Sequence, residues 1–119
     1  MSAVQGDRVQ LQQVVLNLLL NAFDVMRDAD ASDRVVRLNI GRMDERMLKV
    51  SVVDAGPGLP PESIERVFDA FYTTKSKGLG MGLSISRSII EAHGGRMWAE
   101  NNLKRGATFS FTIPIATPP

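Results

Sequence analysis

The chain has 119 residues, 44% of them hydrophobic, and its 14 Lys and Arg nearly balance 13 Asp and Glu to leave a formal charge of +1. This length suits a single domain, residues 1–119, that buries roughly two thirds of the surface its unfolded chain would expose. The dispersed, nearly neutral charge argues against nucleic-acid or membrane-surface binding held by bulk electrostatics, and the lack of cysteine excludes disulfides, thiolate metal sites and thiol redox chemistry. The apolar run Val14 to Leu20 is too short to cross a bilayer, and the first residues lack a signal-peptide layout, so the segment is expected to stay out of the membrane.

In chain order, apolar residues recur from Arg8 to Arg27 at Leu11, Val14, Val15, Leu18, Leu19, Ala22, Phe23 and Met26. That three-four period predicts a long amphipathic helix with Asp7 as its cap. The polar stretch Asp28 to Asp33 breaks the pattern, and Val35 to Ile40 and Met47 to Val53 read as a β-hairpin. A Gly/Pro-rich turn, Asp54 to Pro61, leads to a short helix, Pro61 to Phe68, with proline at its start and Glu62 in its first turn. The segment Thr73 to Gly80 has the polar, glycine-rich composition of a mobile lid. Leu83, Ile85, Ile89, Ile90 and Ala92 predict a second amphipathic helix, stopped at Gly94-Gly95. Two β-rich runs follow, Arg96 to Glu100 and Ala107 to Ile113, joined around Lys104-Arg105-Gly106, and the tail Ala116 to Pro119 is expected to fray. The elements imply an α/β two-layer sandwich: a mixed, mostly antiparallel sheet packed on one side by about three helices.

Three features carry chemistry. Asn17 and Asn21 lie four residues apart within the most apolar stretch of the chain, a spacing that stacks them on one helix face. Amides among leucines cost free energy unless something hydrogen-bonds or ligates them. The turn Asp54-Ala55-Gly56-Pro57-Gly58 ends a buried-looking strand, where a carboxylate can accept from an exocyclic amine and glycine lets backbone approach a flat ring. Gly78-Leu79-Gly80-Met81-Gly82 runs into the helix that opens near Leu83, placing N–H donors at a positive helix end that suits phosphates. It is neither a dinucleotide fingerprint nor a P-loop.

The order Asn-x-x-x-Asn helix, Asp-x-Gly-x-Gly turn, Phe-rich segment, Gly-x-Gly-x-Gly before a helix and Gly106-x-Thr108 resembles the catalytic ATP-binding domain of sensor histidine kinases, of the GHKL superfamily with the Bergerat ATP-binding fold. The resemblance covers Gly6 to Pro114. It implies that Asn21 ligates magnesium and that Asn17 is its partner near the phosphates; an oxygen-seeking ion that keeps several waters is compatible with one amide plus triphosphate oxygens. It implies that Asp54 reads the adenine amino group, with Gly56 and Gly58 beside the ring and Thr108 helping to hold the base, so that ATP is preferred to GTP. Gly78, Leu79, Gly80, Met81, Gly82 and Leu83 then line the phosphates. Phe68 and Phe71 match the phenylalanines under the lid, and Phe71-Tyr72-Thr73-Thr74-Lys75 resembles a subset of these kinases that carry a Phe-x-Thr-Thr-Lys segment before a short lid, which implies Thr74 at the nucleotide and leaves Lys75 either at the γ-phosphate or as a solvated lysine on a mobile loop. One departure is Asp24, where some histidine kinases carry a basic residue that touches phosphate.

The resemblance further implies a protein-histidine kinase whose cofactors are ATP and Mg2+. Its γ-phosphate goes to a histidine on a helical dimerisation and phosphotransfer domain of the same kinase, and then to a response regulator, in two-component signalling. Such a domain is expected to be cytoplasmic and excised from a longer sensor kinase that is membrane-anchored or soluble. His93, the only histidine, matches a structural helix-end residue rather than a phosphoacceptor. Catalysis by Asn17 and Lys75 would be positioning and charge neutralisation. Two alternatives differ in class: a GHKL-type ATPase switch, and a non-catalytic nucleotide-sensing module. In the ATPases of the superfamily a glutamate four residues before the metal-binding asparagine activates water. Asn17 stands there, and an amide cannot take the proton.

Overall fold

The computed structural model describes residues 7–26, 35–69 and 80–115. Its elements are α1 (Arg8–Val25), β1 (Arg37–Arg42), β2 (Met47–Val53), two single 3₁₀ turns (Pro61–Ser63 and Arg66–Phe68), α2 (Gly80–Ala92), β3 (Met97–Asn101) and β4 (Ala107–Pro114). The four strands form one sheet in the order β1-β2-β4-β3, and all three pairings are antiparallel. The sequence left room for a parallel pairing, and none occurs among the described residues. The two α-helices lie together over β2, β4 and β3 on one side of the sheet.

Period-two alternation decides what each strand contributes. Val50 and Val52 of β2 and Phe109, Phe111 and Ile113 of β4 meet Val14, Leu18 and Ala22 of α1 and Leu83 and Ile90 of α2 in one core. Phe68 closes it by meeting Phe109 edge-on, with ring centroids 6.1 Å apart. Each of these large side chains stabilises the fold by about 1.5–3 kcal/mol through area removed from water. Ser51, Ser110 and Thr112 alternate onto the other face, where the two serine hydroxyls pair at 2.9 Å.

Asp7 caps α1 by accepting from the Gln10 N–H at 3.0 Å. The buried stripe is Val14, Leu18 and Ala22, while Phe23, expected inward, is exposed along with Leu16 and Leu20. These sit on the opposite side of the helix, whose apolar residues run nearly all round it. β1 begins two residues later than the sequence suggested and is exposed on both faces, because it forms an edge that the described helices do not cover. The expected helix from Pro61 to Phe68 is instead two 3₁₀ turns, since eight residues are too few for a cooperative α-helix without strong packing.

α2 ends in a paired-bond cap: Gly94 N–H donates to Glu91 and Gly95 N–H to Ile90, with Gly94 at φ +84°, a conformation glycine adopts at no steric cost. His93 joins the two helices. Its Nδ1 lies 2.7 Å from the Ile89 carbonyl, which can only accept, so Nδ1 carries the proton and Nε2 accepts from the Asp7 N–H at 3.0 Å. This clasp sets the start of α1 beside the end of α2, so the two helices run antiparallel. Among the described residues no helix is long and apolar enough to cross a membrane.

Candidate functional site

Antiparallel packing brings the second half of α1 to the first turn of α2. There the half-buried Asn17 meets its partners: Nδ2 donates to Ser86 Oγ at 2.9 Å and to the Gly82 carbonyl at 3.3 Å, while Oδ1 accepts from Gln13 at 3.4 Å. Ser86 is fully buried, so this contact ties α1 to α2. α2 starts at Gly80, earlier than the apolar pattern indicated, so Gly80, Met81 and Gly82 form its first turn rather than a loop before it. Leu83 faces the core.

One turn further along α1 is Asn21, also half-buried. Its side chain has no hydrogen-bond partner among the described residues. A third turn brings Val25 against Gly56, where an added Cβ would lie 3.0 Å from Val25 Cγ2, and Met26, whose sulfur accepts from the Ala55 N–H at 3.4 Å. The three positions are stations on one helix face. Asn17 lies at the opening of α2, Val25 at the Asp54 turn about 12 Å away at 1.5 Å per residue, and Asn21 between them.

Asp54 is 97% buried at the end of β2, its exposure being 3%. Its Oδ1 accepts from the Gly56 N–H at 2.9 Å and from the Ala107 N–H at 3.1 Å. Burial pushes its pKa up from the ordinary carboxylate value of 3.8, and the two backbone donors pull against that rise. Gly106, at φ +86°, packs so tightly here that a Cβ would lie 2.0 Å from the Asp54 carbonyl oxygen.

Two asparagines that sequence reasoning passed over organise this end. Asn101 clamps the backbone of Leu59 in both directions, accepting from its N–H at 2.7 Å and donating to its carbonyl at 2.8 Å. Asn102 donates to the carbonyls of Asp54 at 3.0 Å and Arg105 at 2.9 Å, and accepts from the Thr108 hydroxyl. The available signal was a tandem of turn-favouring residues between a strand and Gly106. Thr108 is not brought to Asp54. Alternation along β4 sends Phe109 and Phe111 to the helix side and Thr108, with Ser110 and Thr112, to the other, and the residue beside the Asp54 carboxylate is Ala107.

Phe68 is a core residue, with the Arg87 guanidinium 4.9 Å over its ring. Phe71, Tyr72, Thr73, Thr74, Lys75, Gly78 and Leu79, and with them the expected lid, lie outside the described residues, as do the segment Asp28 to Asp33 and the tail. Among the described residues no three His, Asp or Glu side chains converge as a metal-binding group.

Residues 6–117 match the family described as histidine kinase-, DNA gyrase B- and HSP90-like ATPases. Among curated proteins the chain is 52% identical over 113 residues to the sensor protein FixL of Bradyrhizobium diazoefficiens, covering 95% of this chain and 22% of that one. It is 42% identical to the sensor histidine kinase TmoS of Ectopseudomonas mendocina, covering 96% and 12% respectively. Among solved structures it is similar to the nucleotide-free catalytic domain of histidine kinase ThkA, with a TM-score of 0.79 at 40% identity over 93% of this chain and 70% of that one. It is also similar to full-length ShkA in complex with AMPPNP, with a TM-score of 0.81 at 31% identity over 99% and 24%. The chain thus spans about a fifth or less of the curated relatives named here.

Proposed function

Because the chain belongs to the family of histidine kinase-, DNA gyrase B- and HSP90-like ATPases, we propose that it binds ATP with Mg2+ and presents the γ-phosphate to a histidine on a separate helical domain. The observation that carries this reading is the order of stations along α1. The Asp54 turn at one end offers a buried carboxylate to an exocyclic amine. The first turn of α2 at the other offers backbone N–H groups at a positive helix end to phosphate. Asn21, whose amide has no partner among the described residues, lies between them, where it would hold a metal ion beside the phosphates.

Asn21 fits magnesium as an oxygen ligand, and with no convergent group of carboxylates or histidine among the described residues the remaining ligands would be phosphate oxygens and water. When bound, the ion supplies charge neutralisation at the triphosphate. The chain's own residues then orient and exclude. Asp54 fixes the base, Gly56 and Gly58 admit the ring, and Gly80, Gly82 and the backbone of Leu83 form the wall at the phosphates. Thr74 and Lys75 belong to the proposal as phosphate contacts.

Asn17 favours a kinase over an ATPase switch. Its amide is held between the Gly82 carbonyl and the Ser86 hydroxyl, so it positions α2 against α1 and cannot act as a base for water. The nucleophile must therefore arrive from outside, as the imidazole of a helical dimerisation and phosphotransfer domain, with a response regulator as the later acceptor. His93 is no candidate for that role: both ring nitrogens are occupied in the helix clasp. The proposed setting is the cytoplasmic portion of a sensor kinase.

The experiment combines the chain with Mg-ATP and a separately produced helical phosphotransfer domain from a related sensor kinase. Acid-labile phosphohistidine on the helical domain is the expected result. Steady phosphate release without a partner would refute the kinase reading in favour of the switch, and tight ATP binding without transfer to any cognate domain would favour the sensing module.

A further inference from the structure

We propose that Asn102 is the positioning residue of the base end, setting nucleotide selectivity through Asp54, and that Ala107 rather than Thr108 is the β4 residue facing the base. The inference rests on the nucleotide reading of Asp54 given above. Asn102 Nδ2 faces two backbone carbonyls, of Asp54 and Arg105, and carbonyls only accept, so this atom is the amide nitrogen and the flip is fixed. The atom facing Thr108 is therefore the carbonyl oxygen, and the Thr108 hydroxyl gives it its single hydrogen.

Two consequences follow. The Thr108 hydroxyl has no proton left to donate to a base. It also sits on the sheet face away from the helices, whereas the Asp54 carboxylate lies on the helix side, near Val25 and Gly56. Thr108 serves to hold the Asn102 amide in one orientation. Asn102, in turn, holds the Asp54 main chain against the turn that ends at Gly106, and its own N–H is fixed by the Gly106 carbonyl at 2.9 Å. The Asp54 carboxylate is then aimed by three neighbours: the N–H groups of Gly56 and Ala107 on Oδ1, and Asn102 on the carbonyl behind it. At the base the remaining strand contact is the Ala107 methyl, which is apolar and small.

A carboxylate discriminates adenine from guanine only if it stays where the exocyclic group comes, because guanine presents a carbonyl there and leaves an acceptor facing an acceptor. Releasing Asn102 loosens that aim. The test titrates the chain and its variants with Mg-ATP and with Mg-GTP. Asn102→Ala is expected to lower ATP affinity by roughly three- to tenfold, the scale of one or two lost hydrogen bonds, and to bring the ATP:GTP affinity ratio closer to one. Thr108→Val is expected to narrow the ratio in the same direction but less, and Thr108→Ser, which keeps the hydroxyl, to restore it. A residue that merely supports folding would weaken both nucleotides alike, so an unchanged ratio in Asn102→Ala overturns the proposal. So does a Thr108→Val variant that loses more ATP affinity than Asn102→Ala, since that would put the hydroxyl on the base. If Asn102→Ala does not fold, Asn102→Asp takes its place, since it keeps the acceptor for Thr108 but removes the amide donors to the Asp54 and Arg105 carbonyls, and an unchanged ATP:GTP ratio in it overturns the proposal. A wild-type chain that binds neither nucleotide would instead overturn the nucleotide reading itself, whereas an Asp54→Asn variant with altered selectivity beside an unaltered Asn102→Ala would leave that reading standing and sink this one.

Discussion

Replacing Asn17 by alanine should destabilise the protein in the absence of any nucleotide, while replacing Asn21 should not. Asn17 gives hydrogen bonds to Ser86 Oγ at 2.9 Å and to the Gly82 carbonyl at 3.3 Å, and Ser86 has no solvent exposure. Orphaning a buried hydroxyl costs about 1–3 kcal/mol. Ser86 can recover part of this by turning its hydroxyl to the carbonyl four residues back in its own helix, the kind of local bond serine makes readily, which brings the expected cost to about 1–2 kcal/mol. For a chain of this size each kcal/mol moves the melting temperature by about 3–6 °C, so Asn17→Ala should melt roughly 5–10 °C lower. Asn21 has no such partner among the described residues, and Asn21→Ala should melt with the wild type; its loss should appear only as weakened binding of ATP in magnesium, with binding in chelator little changed. The assay is thermal unfolding followed by circular dichroism without nucleotide, then titration with and without the ion. An Asn17→Ala variant melting within about 1 °C of wild type would refute the argument from hydrogen bonding, as would equal destabilisation by the two substitutions.

Three further substitutions have expected outcomes. Asp54→Asn keeps an acceptor for Gly56 and Ala107 but can turn a donor toward the base, so ATP affinity should fall while the preference for ATP over GTP shrinks or reverses in competitive titration. The same substitution carries a pH signature: burial holds the Asp54 pKa above 3.8, so this group contributes stability that is complete below that pH and lost as pH rises through its folded value. Melting curves at pH 4 and pH 7 should show Asp54→Asn gaining on the wild type at the higher pH. Gly106→Ala would force a Cβ to 2.0 Å from the Asp54 carbonyl at φ +86°, and the urea midpoint should report a loss of about 3–4 kcal/mol together with loss of ATP binding. His93→Ala removes the clasp between Asp7 and Ile89 and should lower stability by about 1 kcal/mol, yet phosphate transfer to a supplied helical domain should persist when followed by radiolabel.

Much of the architecture could be read because it is local. The period of α1, the β-branched run of β2 and the Gly94-Gly95 stop each depend on residues a few positions apart, and Met47–Val53 appears as a strand over the span expected. β1 was displaced because Val35 and Val36 have strand composition, whereas pairing with β2 begins at Arg37 opposite Val53. The Pro61 to Phe68 segment lost its α-helix for want of length.

The amino-acid sequence by itself determined that two amides on one helix face required partners, that an aspartate ended a buried strand and that glycines opened the second helix. Only the tertiary structure decided which amide was already satisfied. Asn17 finds Ser86 69 residues away, and Asn102 finds the Asp54 carbonyl 48 residues away; no local pattern encodes a partner at that distance. The same holds for Thr108 and Ala107, adjacent in sequence and on opposite faces of one strand. A side-chain period of two turns an offset of one residue into a change of face, and only pairing with β2 and packing beneath α1 settles which face the aspartate shares.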